Sequence, residues 1–134
     1  MILVDAGPLV ALLDRSDPHH AACTEAAGRF TDQAVTAWPV VTEAMYLLNF
    51  SLRSQHALLE MLETGALRLL ELGVTDLPRI RALIQKYRDL PMDFADAALV
   101  RLGERERISR VFTLDRRGFS VYRQTRLGRF VILP

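Results

Sequence analysis

Cysteine is nearly absent from this chain of 134 residues, because Cys23 is the only one. A lone thiol cannot form an internal disulfide, and it excludes metal centres built on several cysteines. A chain of this length buries about two thirds of the surface of its unfolded form, so it needs no disulfide or structural metal to be stable. We therefore expect Cys23, which lies among alanines, to be a small core residue in a reducing compartment.

Long hydrophobic runs are also missing, since no stretch approaches the about 18 apolar residues of a membrane span. The apolar segment Met1 to Val4 meets Asp5 with no basic residue before it, unlike a secretory leader. We therefore expect a cytoplasmic protein that does not associate with membranes. Half of the residues are hydrophobic and a quarter are charged, which is typical of one globular domain over residues 1–134.

Lysine is the third scarcity, because Lys86 is the only lysine among 17 basic residues. Residues 1–100 contain 8 basic and 13 acidic residues, whereas residues 101–134 contain 9 arginines and 3 acids. The planar guanidinium of arginine can bind a phosphate through two parallel hydrogen bonds. The C-terminal third is therefore a candidate basic surface for nucleic acid, although a GC-rich coding sequence would produce the same arginine bias.

Short strand-like runs alternate with helix-like stretches along the chain. This order predicts an α/β fold with a mainly parallel sheet, right-handed crossovers and helices on both faces. Pro8 is expected at the first position of the first helix. The predicted strands are 2–4, 34–36, 67–72, 109–113 and 130–133, and the predicted helices are 8–13, 17–30, 38–50, 54–64, 76–87 and 93–105.

Isolated acidic residues follow the predicted strands or lie in apolar runs. Asp5 follows the first strand and Asp115 follows the fourth, and α/β sheets bind ligands beyond the carboxyl ends of their strands. Glu43 and Asp96 are each the only charge in an apolar stretch of predicted helix, where an unpaired carboxylate is costly. Glu43 is expected on the helix face shared by Val40, Ala44 and Leu47. We predict that the four acids share one site.

Converging carboxylates require cations or protons. Two like charges about 4 Å apart repel by roughly 4 kcal/mol at an effective dielectric of about 20. The summed repulsion among four such carboxylates would exceed the free energy of unfolding of a typical domain. An all-oxygen set without Cys or His suits Mg²⁺ or Mn²⁺ rather than Zn²⁺. These ions activate water and neutralise phosphate oxygens, so the pattern predicts phosphodiester chemistry.

Each acid also has a structural explanation. Asp5 can cap the first helix, and Asp93 can cap the sixth with Asp96 in its first turn. Glu43 can pair with an arginine, and Asp115 can begin a turn. Capping is the leading interpretation for Asp93. Metal ligation is its alternative role, because residues three apart share a helix face.

The order and spacing of these segments resemble the PIN-domain ribonucleases, specifically the VapC-like toxins of bacterial toxin-antitoxin pairs. The resemblance covers nearly the whole chain and rests on residues 4–14, 17–20, 41–43, 91–97 and 113–119. It places the four family acids at Asp5, Glu43, Asp96 and Asp115. It implies a three-layer α/β/α fold, Mg²⁺-dependent endoribonuclease activity and a homodimer inhibited by a cognate antitoxin.

Side chains next to these acids have expected roles of their own. Thr113 is expected to orient Asp115 or a phosphate. Arg116 and Arg117 are expected to contact RNA phosphates, with solvated turn residues as the alternative. His19 and its neighbour are expected in the first turn of the second helix rather than at a metal.

Two other function classes stay open. A phospho-acceptor receiver domain is also an α/β sheet with Mg²⁺-binding acids, but it needs adjacent acids after the first strand and a lysine after a late strand. Lys86 lies within a predicted helix. A PIN-like domain that binds RNA or protein without cutting is the second alternative, which the presence of all four acids disfavours. The family often carries a hydroxyl residue after the first acid, whereas Ala6 and Gly7 follow Asp5 here.

Apolar residues of the third and fourth predicted helices have three possible roles. Met45, Tyr46, Leu58 and Met61 can belong to the core, to an antitoxin groove or to a dimer surface. We expect core to be the commonest role.

Overall fold

The centre of the protein, described over all residues 1–134 in a computed structural model, is a sheet of five parallel strands. These strands are β1 (Ile2–Val4), β2 (Ala34–Thr36), β3 (Leu67–Leu69), β4 (Arg110–Phe112) and β7 (Val131–Leu133). A separate antiparallel hairpin of β5 (Arg123–Gln124) and β6 (Gly128–Arg129) precedes the last of them. The order across the sheet is β3-β2-β1-β4-β7, so β1 is central.

Helices connect the strands and cover both faces of the sheet. They are α1 (Ala6–Leu13), α2 (His20–Gly28), α3 (Trp38–Leu47), α4 (Leu52–Thr64), α5 (Leu77–Lys86), α6 (Phe94–Glu106) and α7 (Arg116–Phe119), with a 3-10 turn at Val74–Asp76. Val4 on one face lines a pocket with Leu9 of α1 and Met61 of α4. Leu3 has the opposite orientation because side chains alternate along a strand. It packs against α6, where a Cβ at Gly103 would lie 3.1 Å from Leu3 Cδ1. The predicted α/β/α architecture is confirmed.

Capping side chains explain where the helix boundaries differ from prediction. Helix α1 begins before Pro8 because the Asp5 carboxylate accepts the Ala6 N–H at 2.8 Å. Asp17 instead forms a turn by accepting the His19 N–H at 2.8 Å, so α2 begins only at His20. Helix α4 begins before the predicted Ser54 because Ser51 caps it. The prediction also missed α7 and the β5–β6 hairpin, which are too short to show a hydrophobic period.

Two residue expectations for the core are confirmed, and a third residue lies outside it. Cys23 and Leu58 are fully buried in the core. Met45 and Met61 pack against that core from partly buried positions. Tyr46 is exposed, so it is the member of the predicted apolar group that is accessible to a partner. None of the helices combines the length and apolar character that crossing a bilayer requires.

Arginines of the C-terminal third are largely used inside the fold. Arg101 and Arg105 both pair with the buried Asp76, at N–O distances of 2.8 and 2.9 Å. Three more bind other acceptors: Arg110 binds Asp32, Arg116 binds the carbonyl oxygen of Pro134, and Arg123 binds the carbonyls of residues 120 to 122. The uneven charge of the sequence therefore reflects internal contacts to a large extent.

Candidate active site

Five carboxylates line one pocket at the carboxyl edge of the central strands, which we call the acidic pocket. Its acids come from four distant stretches of the chain: Asp5, Glu43, Asp93, Asp96 and Asp115. The other lining residues are Ala6, Gly7, Leu47, Pro91 and Leu114, so no Arg, Lys or His lines it. The structure thus brings together all four acids predicted to share a site, and Asp93 with them.

Asp5 lies where β1 ends and α1 begins. Its backbone N–H donates to the Phe112 carbonyl at 3.0 Å, which continues the pairing of the strands. Its Oδ1 accepts the Ala6 N–H at 2.8 Å, and its Oδ2 accepts the Thr113 hydroxyl at 2.7 Å. Asp5 is thus both the cap of α1 and a fixed carboxylate of the acidic pocket.

Asp93 and Asp96 occupy the start of α6. Asp93 Oδ1 accepts the Asp96 N–H at 2.8 Å, so Asp93 is the helix cap that the sequence favoured. Asp96 is nearly buried, and its Oδ2 accepts a hydrogen bond from the Tyr122 hydroxyl at 3.0 Å. Capping leaves Asp93 Oδ2 without a hydrogen bond, so this acid combines its structural role with a place in the pocket.

Thr113 joins two of the acids. Its buried hydroxyl donates to Asp5 Oδ2, and the Thr113 hydroxyl oxygen itself accepts the Asp115 N–H at 3.0 Å. Asp115 Oδ1 in turn accepts the Gly118 N–H at 3.0 Å and caps α7. The turn expected at Asp115 is therefore a short capped helix, and Thr113 connects it to the end of β1.

Glu43 reaches the pocket from α3, but the description of its helix face was wrong in part. Val40 and Ala44 on that face are fully buried, whereas Glu43 and Leu47 are exposed at the pocket. Glu43 forms no ion pair with an arginine, so the pairing considered for it is wrong too. Its carboxylate therefore reaches the pocket from a solvent-exposed helix surface.

Burial and the charges of neighbouring acids raise the pKa values of three pocket acids, Asp5, Glu43 and Asp96. Burial raises the pKa of Asp5 most strongly, while hydrogen bonds from Thr113 and Ala6 act against it and the charges of Asp93 and Asp115 add to it. The pKa of Asp96 rises to about 7 because of burial and then the charges of Asp93 and Asp5. Partial burial, together with the charges of Asp5 and Asp93, also raises the pKa of Glu43. The pocket thus disfavours its own negative charge and would gain from a cation.

The donor set of the pocket suits a hard divalent cation. All five candidate donors are carboxylates, the ligands that Mg²⁺ and Mn²⁺ prefer, and no sulfur or imidazole is among them. As the side chains stand, no group of three or more His, Cys, Asp or Glu residues is arranged to hold one metal ion. The chemistry of the donors therefore fits a hard divalent cation, although the side chains are not already arranged as a coordination cluster.

Two neighbours of the pocket escaped the sequence reasoning. The Tyr122 hydroxyl contacts Asp96, although this residue shows no local pattern beyond an aromatic run with Phe119. Gly118 leaves room for that contact, since a Cβ there would lie 2.5 Å from Asp115 Oδ2 and 3.0 Å from the Tyr122 hydroxyl oxygen. Only the fold brings them to the acids, because Tyr122 and Asp96 are 26 positions apart.

The predicted phosphate contacts and histidines are placed as follows. The Arg116 guanidinium is bound to the Pro134 carbonyl, while Arg117 is exposed and its side chain forms no hydrogen bond or ion pair within the fold.

His20 begins α2, and its Nδ1 lies 2.6 Å from the Ala11 carbonyl oxygen. The expectation of a place in the second helix is confirmed for His20 and wrong for His19, which precedes the helix as its N-cap residue.

Comparisons with known proteins agree on the family. The PIN domain model matches residues 2–124. Ribonuclease VapC26 of Mycobacterium tuberculosis is 34% identical over 135 residues, which cover 99% of this chain and 100% of the relative.

Two solved structures share the fold at low sequence identity. VapC20 of Mycobacterium tuberculosis, a sarcin-ricin loop cleaving toxin, aligns with a TM-score of 0.78 and 18% identity, covering 86% of this chain and 92% of its own. A toxin-antitoxin complex from Klebsiella pneumoniae aligns with a TM-score of 0.70 and 16% identity, covering 90% and 92%. With the family model matching nearly the whole sequence, this chain belongs to the PIN domain family.

Proposed function

We propose that this protein is a Mg²⁺-dependent endoribonuclease that hydrolyses RNA phosphodiester bonds. The observation that carries the proposal is the convergence of five carboxylates in a pocket without a basic side chain. The relative that is 34% identical is named a ribonuclease, which supports RNA as the substrate class. Mn²⁺ is expected to substitute for Mg²⁺ because both accept all-oxygen ligation.

Asp5, Glu43, Asp96 and Asp115 are the proposed ligands, with Asp93 as a possible fifth. When bound, the ion supplies positive charge against phosphate oxygens and lowers the pKa of a water. The protein contributes position, since the ends of β1 and β4, helix α3 and the starts of α6 and α7 hold these acids. The RNA backbone would enter the pocket on its solvent side, where Glu43 is exposed.

Binding and cleavage are separable by one pair of measurements. Calorimetric titration of the purified chain with Mn²⁺ should show binding, and labelled RNA should be cut with Mg²⁺ and left intact with EDTA. Binding without cleavage would favour the catalytically silent PIN-like module. The absence of both Mn²⁺ binding and RNA cleavage would contradict the proposal outright.

Arg117 is the better candidate of the two predicted phosphate contacts, because Arg116 is bound within the fold. We expect Arg117→Ala to raise KM for RNA several-fold and to reduce its salt dependence, since one phosphate contact is lost. Arg129, which is also exposed and unpaired, provides the control. Equal effects of Arg117→Ala and Arg129→Ala would argue against a specific contact at Arg117.

We further propose that the chain is the toxin of a toxin-antitoxin module and acts in the cytoplasm, where its RNA substrate is. The similarity to a toxin-antitoxin complex supports an antitoxin partner. Induced expression of the chain should arrest growth, and co-expression of a small neighbouring reading frame should relieve the arrest. Co-purification of the two products would identify the partner, and arrest that no neighbour relieves would count against the module.

A homodimer is proposed through an exposed apolar surface beside the acidic pocket. Trp38 and Phe94 are 58% and 46% exposed, and Val74 and Leu77 line the same surface at 82% and 44%. Exposed groups of large apolar residues are characteristic of protein interfaces. Light scattering should give a dimer that Trp38→Asp converts to a monomer, whereas Val131→Asp on the outer strand β7 leaves it unchanged. A monomeric wild-type protein would refute this part.

A further inference from the structure

The hydroxyl of Tyr122 is the only hydrogen-bond donor that the fold supplies to the Asp96 side chain. It donates to Asp96 Oδ2 at 3.0 Å, whereas Asp96 Oδ1 has no hydrogen-bond partner. The Asp96 backbone is fixed independently, because its N–H donates to the Asp93 cap. A buried carboxylate held through one oxygen has a defined orientation, with its other oxygen left for the pocket.

The phenol is itself held rigidly. Tyr122 is fully buried, and its ring packs edge-on against Phe119 and Tyr87 with centroids 5.1 Å apart in both pairs. Its backbone N–H donates to the Gly118 carbonyl at 3.0 Å, which ties it to the turn after Asp115. The hydroxyl therefore has little freedom to leave Asp96.

Gly118 supplies the space that this arrangement needs. A Cβ at this position would lie 3.0 Å from the Tyr122 hydroxyl oxygen and 2.5 Å from Asp115 Oδ2. These approaches are closer than normal van der Waals contact, so a larger residue would displace the phenol or the carboxylate. The glycine thus lets the Tyr122 hydroxyl lie close to the Asp115 turn while it contacts Asp96.

We propose that Tyr122 is a positioning residue of the acidic pocket, whose hydroxyl orients the Asp96 carboxylate for cation binding beside Asp115. The part concerning the cation rests on the proposed function. Tyr122 does not touch the substrate in this proposal, and it acts only through Asp96. The proposal also assigns Gly118 the role of keeping the contact open.

Tyr122→Phe tests the proposal because it keeps the ring and removes only the hydroxyl. Tyr87→Phe is the matched control, since the Tyr87 hydroxyl accepts the Arg123 N–H at 2.9 Å and contacts none of the acids. Mn²⁺ affinity is measured by electron paramagnetic resonance without RNA, and Asp96 χ1 coupling constants are measured by NMR on metal-free protein. We expect Tyr122→Phe to weaken Mn²⁺ binding by about ten- to a hundredfold and to average the Asp96 couplings over several rotamers. Tyr87→Phe should leave both unchanged.

The outcomes separate this proposal from the proposed function. Unchanged Asp96 couplings in Tyr122→Phe would overturn the positioning role, and averaged couplings with unaltered Mn²⁺ affinity would overturn its importance for the cation. If the wild-type protein binds Mn²⁺ but does not cut RNA, the nuclease proposal fails while the comparison of affinities still decides about Tyr122. If the wild type binds no Mn²⁺, the cation part of both proposals fails, and the couplings still decide whether Tyr122 orients Asp96.

Discussion

The fold surrounds the buried Asp76 and the buried acids of the acidic pocket with opposite kinds of partner. Asp76 is 2% exposed, and Asp5 and Asp96 in the acidic pocket are 7% and 9% exposed. Asp76 accepts hydrogen bonds from Arg101 at 2.8 Å and from Arg105 and the Gly73 N–H at 2.9 Å. The pocket acids receive neutral donors only.

This difference separates the two groups electrostatically. Burial favours a higher pKa for Asp76, but the Gly73 N–H and the two arginines outweigh it and leave the pKa lowered. Burial also raises the pKa of Asp5 and Asp96, and there the neighbouring acids add to the increase. Burial below 10% exposure therefore accompanies a structural ion pair in one place and a site without a basic side chain in the other.

The largest expected effect comes from removing one charge of the acidic pocket. Asp5→Asn should lower metal-dependent RNA cleavage by at least about a thousandfold, because the proposed cation loses a ligand. Its thermal unfolding midpoint without divalent cations should change little, because the loss of a repulsive charge offsets the weakened hydrogen bonding with Ala6 and Thr113. Cleavage assays and thermal denaturation measure the two effects.

Asp32→Asn is the control for this substitution, since Asp32 is exposed and lies outside the pocket. It should cut RNA at the wild-type rate. Undiminished cleavage by a contaminant-free Asp5→Asn protein would remove Asp5 from the site.

Removing the structural acid should have the opposite result. Asp76→Asn leaves Arg101 without a charged partner and Arg105 with Glu106 alone, which should lower the free energy of unfolding by about 2–3 kcal/mol. Cleavage per folded molecule should stay unchanged, because Asp76 lies outside the pocket. Urea unfolding and cleavage assays in the same buffer test both statements, and lost activity with intact stability would invert the comparison.

Local signals in the sequence were sufficient for the fold and for the gathering of the acids. Alternating strand and helix patterns predicted the parallel sheet, and Asp5 and Asp115 were found because strand ends are readable in the sequence. Apolar surroundings singled out Asp96, which is indeed buried. They misjudged Glu43, because a helix can present an apolar stretch to solvent beside a pocket.

Partners that lie far apart in sequence could not be predicted. Asp76 was expected only as the start of a helix, and its pairing with Arg101 and Arg105 spans 25 and 29 positions. The contact of Tyr122 with Asp96 depends on how the turn after Asp115 packs against α6. These contacts are set by tertiary packing, for which a single sequence carries no periodic signal.

The pH dependence of stability should show the same difference between Asp96 and Asp76 without any RNA in the experiment. Asp96 has an ordinary pKa of 3.8 and a folded pKa of about 7. Because the folded state favours its neutral form, its stabilising contribution is complete below about pH 4 and is lost as the pH rises through 7. Asp76 behaves oppositely, since its lowered pKa gives stability above its ordinary value that is lost in acid.

Chemical unfolding of wild type and Asp96→Asn between pH 4 and 8 measures this contribution. The wild type should lose about 1–3 kcal/mol relative to the variant as the pH rises from 5 to 7.5. Saturating Mg²⁺ at pH 7.5 should restore part of it to the wild type only, because a ligand that binds the folded state stabilises it. Parallel pH profiles of the two proteins would show that Asp96 is ionised at neutral pH without cost.

The smallest effects separate two buried threonines at the ends of β2 and β4, the two strands that flank β1. Thr36 donates from its hydroxyl to the Val4 carbonyl at 2.8 Å, whereas the Thr113 hydroxyl connects Asp5 with the Asp115 N–H. Substitution by valine keeps the shape and removes one hydrogen bond at Thr36 and two at Thr113, so each variant should lose on the order of 1–2 kcal/mol of stability.

Activity should distinguish the two variants where stability does not. Thr113→Val should also lower cleavage by about ten- to a hundredfold, because the orientation of two proposed ligands is lost. Thr36→Val should cut RNA normally once corrected for the folded fraction. Equal activity losses in the two variants would mean that the strand ends in general, and not the bridge at Thr113, hold the acids. Unequal losses at equal stability would mean that the same kind of hydrogen bond serves the fold at Thr36 and the site at Thr113.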